Sequence, residues 1–361
     1  MNSARQTRPS SLLHAAVLAA CAACSFANAA AQGPPAAAAA TTRYTVTIRF
    51  APSFGTGIFP LALNNRSHLV GARIDFDPRW SFAAIWDGKT ATEWNVFGNA
   101  GSVPIAVNDA GKIAGRTLLI PDQRASQRAV VWCGTTMTYL RTLGGDYGEA
   151  SAINQAGDVA GYSTVGQERH AALWKGEKVV DLGTLGGVVS EAHGMNDSGD
   201  VVGWGLTATG AYNAIHWKNG KIRNLGTLGG THSQAIAVND NGHIIGWSYV
   251  AGSTINRPVM WVNGKIKDLG TLGGASGTAR AINRAGIIVG NSVDAQGVGR
   301  PTLWDGSRII DIATLLDGDM TGITISGAKA INDNGEILVG ARGPRGYFDM
   351  LLTPTKRKLK Q

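Results

Sequence analysis

One motif recurs along almost the whole chain, and its period limits the fold before any single residue is read for chemistry. Its clearest copy, residues 181–203, reads DLGTLGGVVSEAHGMNDSGDVVG. Aligned on the Asn that closes an A-x-A-hydrophobic-Asn run, the copies give seven anchors: Asn64, Asn108, Asn154, Asn196, Asn239, Asn283 and Asn332. They are spaced 44, 46, 42, 43, 44 and 49 residues apart. An aromatic marker follows the first six anchors by 20 to 24 residues, at Trp86, Trp132, Trp174, Trp217, Trp261 and Trp304, with Leu352 near that place in the seventh. LGTLGG is identical at 182–187, 225–230 and 269–274 and partial at Leu143, Gly144 and Gly145. A fixed period in the low forties is the signature of a repeat architecture. It overrides the usual inference of two domains from 361 residues.

Within one copy the period-two stretches 191–195, 200–205, 213–217 and 221–225 predict four short antiparallel strands. The first and second are joined by Asn196-Asp197-Ser198-Gly199, where Asn and Asp side chains bond the nearby backbone and Gly accepts positive φ. A loop over 206–212 joins the second and third, and Lys218-Asn219-Gly220 the third and fourth. Four such strands make one propeller blade. Ala or Gly, with Pro in early copies, precedes each anchor, as at Ala192 and Gly194, which suits an innermost strand crowded near a ring axis. The Trp on the third strand is expected to fill the wedge between blades, so that Trp174→Ala and Trp217→Ala destabilise strongly. LGTLGG reads as a strand-ending turn. The high count of 49 Gly is explained by turns at repeat positions, and 44% hydrophobic content is ample for a core.

The ends of the chain complete the count. The seventh copy supplies strands at 328–332, 336–341 and 347–353 but no fourth, whereas RYTVTIRF at 43–50 reads as a fourth strand with none before it. The prediction is an all-β, seven-bladed propeller of four-stranded antiparallel blades over 43–354, closed by the N-terminal strand, with no free sheet edge. Deleting 43–50 should then cost far more stability than deleting 355–361. An open β-solenoid is the alternative, but it would need capping ends that the sequence lacks.

Residues 1–31 read as a signal peptide, with Arg5 and Arg8 before an apolar 12–20 too short to span a bilayer. Ala27-Asn28-Ala29 and Ala29-Ala30-Ala31 suit ordinary cleavage, whereas Leu18-Ala19-Ala20-Cys21 resembles a lipobox that would put a lipid anchor on Cys21. Either route predicts export, to an extracellular, periplasmic or outer-membrane-anchored position. Residues 32–42 form a Pro/Ala-rich linker. With Cys21 and Cys24 in the leader, Cys133 stands alone in the folded part by count, and no disulfide framework is expected. The formal charge of +8 falls to +2 once Arg5, Arg8 and the tail cations Lys356, Arg357, Lys358 and Lys360 are set aside. That balance argues against a nucleic-acid partner. The tail, 355–361, is read as a solvated basic end.

His170-Ala171-Ala172-Leu173-Trp174, followed by Asp181 and LGTLGG, resembles the HAF repeat family of bacterial extracellular proteins, named for a His-Ala-Phe stretch before Leu-Trp. The resemblance covers about 60 to 353. Only this copy keeps the His; the others carry Phe82, Arg128, Asn213, Arg257 and Arg300, and the Phe is absent from 170–174. It implies an exported bacterial repeat protein and carries no catalytic residues with it.

In this strand order the fourth-to-first linkers and second-to-third loops (72–80, 116–128, 162–169, 205–213, 248–257, 291–300, 341–346) share one face, the natural place for binding residues. Glu149, Glu191, Gln234 and Thr278, and Ser151, His193, Ile236, Arg280 and Lys329, vary from copy to copy at the start of the inner strand and should ring the mouth of a central channel. Glu149, Glu191, His193, Gln234, Arg280 and Lys329 are therefore the candidate ligand-binding residues, and a hydrated rim is the bland alternative. Three functions fit. The first is a binding or surface-interaction scaffold for a polar or carbohydrate-like ligand, or for an envelope protein. The second is a hydrolase or lyase using Glu149 and Glu191 as an acid/base pair beside His193. The third is a purely structural envelope protein. NDNG at 239–242 and 332–335 lacks the alternating oxygens and distal Glu of a calcium loop. No His or Cys spacing suggests zinc, and LGTLGG lacks the Lys and Ser/Thr of a phosphate loop. No metal or cofactor is expected. Arg257, Arg300 and Arg128 set guanidinium groups on the same face, suited to acidic glycans and equally to solubility.

Overall fold

The computed structural model describes residues 42–50, 58–74, 81–87, 91–94, 101–119 and 126–355. The leader, the linker up to residue 41 and the tail from 356 lie outside the described residues, as do 75–80 and 120–125 of the second-to-third loops. Seven four-stranded antiparallel sheets form a ring. Blades 1 to 6 span 58–94, 103–139, 148–181, 186–224, 229–268 and 273–311. Blade 7 takes three strands from 324–354 and its outer strand from Tyr44–Phe50. The protein is a seven-bladed β-propeller. One 3-10 turn, Ile312–Leu315, is all the helix among the described residues, where no helix is long and apolar enough to cross a membrane.

The closing strand pairs with Gly346–Pro354 in antiparallel register from Tyr44 opposite Pro354 to Phe50 opposite Asp349. Arg43 pins its start, donating from Nε to Asp317 Oδ1 at 2.9 Å and from Nη2 to the Leu316 carbonyl at 2.6 Å. Tyr44 is buried in the blade 6/blade 7 core, and that burial pushes its phenol up to about 12.

Blade 4 shows how local chemistry builds each unit. Its strands are Gly186–Met195, Val201–Thr207, Tyr212–Lys218 and Lys221–Asn224. The first three run longer than the sequence pattern indicates. Gly186 and Gly187 therefore belong to the inner strand, and LGTLGG is a linker leading into a strand as well as a turn. In blades 3 to 7 the second-to-third loops shrink to short turns, such as 208–211, so most of their variable residues sit on strand ends. Between Ala192 and Gly194 the inner strand bulges, and the Glu191 carbonyl is driven toward Gly203. A Cβ on Gly203 would meet that oxygen at 1.9 Å. The same bulge recurs in every blade, which is why the second strand carries its glycine in blades 1 to 6.

The anchor asparagines do more than make their own turns. Asn239 Oδ1 accepts from the His243 N–H at 3.0 Å, closing its turn, while Nδ2 donates at 3.0 Å to the Asn283 carbonyl of the next blade. Asn283 donates likewise to Asn332, and Asn332 to Asn64 across the ring seam. Outside this belt, the residue after the anchor repeats the link at six of the seven positions: the Asp197 N–H donates to Asp240, and the Asp333 N–H to Asn65. These side-chain oxygens, a carboxylate in Asp240 and an amide in Asn65, serve the backbone of the preceding blade, which gives the residue after the anchor a structural part. Asn239→Ala would leave the part-buried His243 N–H unpaired and the Asn283 carbonyl with only its Gly286 donor, an expected loss of about 1–3 kcal/mol in urea unfolding. Asn239→Asp keeps the turn acceptor but sets a buried anionic oxygen against the Asn283 carbonyl, and should cost at least as much.

The core is a ring of layers between blades. Each third-strand Trp packs toward the preceding blade: Trp174 with Ala114 and Ala129, Trp261 with Val202 and Ala214. Their indole N–H groups donate to the Arg141 and Leu225 carbonyls at 2.6 and 2.9 Å. Trp217, expected to match them, is only half-buried. Cys133, alone by sequence count, is disulfide-bonded, and the other half of the bond lies outside the described residues.

Asp200, just before the second strand of blade 4, is buried at 2% exposure. Burial alone would raise its carboxyl, but bonds from Lys218 and Asn196 and the nearby His216 outweigh it and hold the group below its ordinary 3.8. A depressed carboxylate contributes stability above its unfolded pKa and loses it as pH falls through the folded one. Asp200→Asn should therefore be less stable than the parent at neutral pH, and the gap should close below about pH 3.8, as read from melting temperature against pH.

Candidate functional site

The face carrying the fourth-to-first linkers holds a polar and aromatic rim built from three strand positions. The first is the start of the inner strand. The second is the residue after the second-strand glycine, and the third is the start of the third strand. The bulge turns the first two toward one another, as Glu149 opposite Tyr162, Glu191 opposite Trp204 and Gln234 opposite Trp247.

The structure brings Glu149, Glu191, His193 and Gln234 into one arc. In blade 2, Arg116 donates to Glu149 of blade 3 at 2.7 Å, and Gln127 donates to the Tyr162 hydroxyl at 2.8 Å. The Arg169 guanidinium lies 4.6 Å from the Tyr162 ring centre and forms an ion pair with Glu191 of blade 4. Burial raises the Tyr162 phenol first, Glu149 raises it further and Glu191 adds to it, so this tyrosine feels both carboxylates. Glu191 lies 3.5 Å from His193 Nε2, and Gln234 Nε2 of blade 5 donates to His193 Nδ1 at 3.0 Å. Burial would raise the Glu191 carboxyl, but the bonds from His193 and Arg169 prevail and hold it below the ordinary carboxylate range. Trp247 Nε1 donates to Gln234 Oε1 at 2.8 Å, extending the arc into blade 5.

There the arc becomes aromatic. Trp204 meets Tyr212 edge-on at 5.7 Å between ring centres, and Tyr212 lies 3.9 Å from His232. His232 stacks on Tyr249 at 5.5 Å, and Tyr249 lies 5.3 Å from Trp247. All five rings are half-buried. The Tyr212 phenol is raised, first by burial and then by its hydrogen bond with Tyr249.

Lys329 and Arg280 stand apart from this arc. Lys329 pairs with Asp349 of its own blade at 2.6 Å. Arg280 is exposed on the inner strand of blade 6. Arg257 and Arg300, read as glycan contacts, pair with Asp268 at 2.9 Å and Asp294 at 2.8 Å. Sequence reasoning missed the aromatic group, whose rings come from three strand types on two blades. Its signal was the residue after the second-strand glycine, which changes from Arg116 through Tyr162, Trp204 and Trp247 to Asn291.

No protein-family model matches the chain, and no curated protein matches it by sequence. Among solved structures it is similar in fold to TolB from Acinetobacter baumannii (TM-score 0.43, 13% identity, 80% of this chain and 64% of that one). It is likewise similar to an acylaminoacyl peptidase from Pyrococcus horikoshii (0.48, 14%, 87% and 54%). A third is a sialidase from Trypanosoma rangeli solved with the inhibitor DANA (0.39, 14%, 89% and 59%). The chain spans between half and two thirds of the length of these three, and at such identities the likeness is one of fold alone.

Proposed function

We propose that the protein is an exported repeat propeller of the HAF kind that binds a saccharide, or a ligand of similar polarity, at the upper mouth over blades 3 to 5. The observation that carries the reading is the group Trp204, Tyr212, His232, Trp247 and Tyr249 beside Glu191, His193 and Gln234. A pyranose offers apolar C–H faces to rings and hydroxyl edges to carboxylate, imidazole and amide groups, and this arc supplies both kinds of partner. The purely structural reading accounts for it less well. At the position of Trp204 and Trp247, blades 2, 6 and 7 carry Arg116, Asn291 and Gly340 and close into the same ring, so the fold does not require indoles there.

The hydrolase or lyase reading asks one carboxyl of the pair to hold a proton at working pH. Glu191, held low by His193 and Arg169, suits the ionised member, and Glu149, bonded by the Arg116 guanidinium at 2.7 Å, is poorly placed to be the acid; binding without turnover is the reading preferred. The test is a panel of glycans and envelope polymers presented to the protein and to a Glu149/Glu191/His193 triple alanine variant, with an assay for released product. Saturable binding, weakened at least about tenfold in a variant that still melts cooperatively, is the expected result. Product released by the parent and not by the variant would favour the enzyme. Silence across the whole panel would reject the saccharide reading.

A further inference from the structure

The inner-strand bulge leaves one residue per blade out of the ladder: Leu61, Ile105, Ser151, His193, Ile236, Arg280 and Lys329. These seven border the central channel, and Leu61, a large apolar side chain, is 43% exposed there. Around this circle and the rim above it, cations are matched by carboxylates: Arg116 by Glu149, Arg169 by Glu191 and Lys329 by Asp349. Arg280 is different. It is exposed and has no ion pair or hydrogen bond with any described residue. Its neighbours in the circle are Ile236 in blade 5 and Lys329 in blade 7, and Lys329 is already neutralised. On its own strand, Thr278 Oγ1 is occupied by Asn256 Nδ2 at 2.8 Å. Blade 6 therefore presents one uncompensated guanidinium to the channel, next to the blade that carries Gln234, Trp247 and Tyr249.

We infer that Arg280 receives the carboxylate of an acidic saccharide, so that the ligand is of the uronic-acid type and not a neutral sugar. The inference rests on the saccharide reading above and specifies its chemistry. A guanidinium offers a planar fork of N–H donors that matches a carboxylate with two parallel bonds. A sugar stacked on the blade 4/blade 5 rings would extend its carboxylate along the channel toward blade 6. The contact is noncovalent, and no bond is broken.

The probes are an oligogalacturonate of defined length and the same oligomer methyl-esterified, titrated calorimetrically against the full protein, Arg280→Ala and Arg280→Lys at low and high salt. The parent should bind the acid roughly ten- to a hundredfold more tightly than the ester, with the margin shrinking in salt. Arg280→Ala should erase that preference, weakening the acid far more than the ester, with the melting temperature unchanged, and Arg280→Lys should keep part of it. A preference that survives Arg280→Ala, or a parent that binds acid and ester alike, would overturn the inference while the saccharide reading stands. Binding of neither oligomer by the parent would overturn the inference; if the wider panel is silent too, both fail.

Discussion

Trp174→Ala is expected to lower stability by about 3–5 kcal/mol, measured as the shift in urea midpoint at constant slope. Two losses combine. The ring is 2% exposed and packs between blades 2 and 3 against Ala114, Ala129 and Ala150, small residues that cannot collapse to fill the void. Its indole N–H also leaves the Arg141 carbonyl, with which it forms a 2.6 Å bond, without that donor. Trp261→Ala, at 1% exposure with a bond to the Leu225 carbonyl, should behave alike. Trp217→Ala should cost clearly less because that ring is only half-buried. Equal effects at Trp174 and Trp217 would mean that the wedges between blades are not where the energy resides.

Removing 43–50 should cost on the order of 5 kcal/mol or more, a large fraction of the stability of an ordinary domain. Without that strand, Gly346–Pro354 becomes an open edge, the Tyr44 contribution to the blade 6/blade 7 core is lost, and Arg43 no longer ties down the Leu316 carbonyl. Truncation after Thr355 should be nearly neutral; Thr355 itself is kept because its N–H donates to the Arg43 carbonyl at 2.8 Å. A synthetic 42–50 peptide added to the deleted protein should restore part of the melting temperature, since an open strand edge accepts an added strand. Tolerance of the internal deletion and the tail truncation to the same degree would contradict closure by the N-terminal strand.

The ring was legible because its requirements repeat. Each blade needs an Asn to bridge to the next, small residues on a crowded inner strand, and in most cases a Trp wedge, and a residue type needed seven times is visible in one sequence. The rim was legible only in part. Glu149, Glu191, His193 and Gln234 stood out as variable positions near the axis, but their partners Arg116, Arg169 and Trp247 come from other strands, two of them from neighbouring blades, where register and bulge decide who meets whom. Lys329 was grouped with them by position and instead pairs with Asp349 within its own blade. Tyr212 and His232 lie 20 residues apart in sequence and 3.9 Å apart between ring centres, a juxtaposition that exists only once blades 4 and 5 are docked.

The most direct test of a saccharide site on this arc is calorimetric titration of a Trp204→Ala/Trp247→Ala double variant with the glycan that binds the parent most tightly. Because other blades fill this position with Arg116, Asn291 or Gly340, the variant should melt cooperatively within a few degrees of the parent. It should lose at least about tenfold in affinity, as expected when central aromatic contacts are removed. Unchanged affinity in that folded variant would place the ligand elsewhere on the ring and contradict the account.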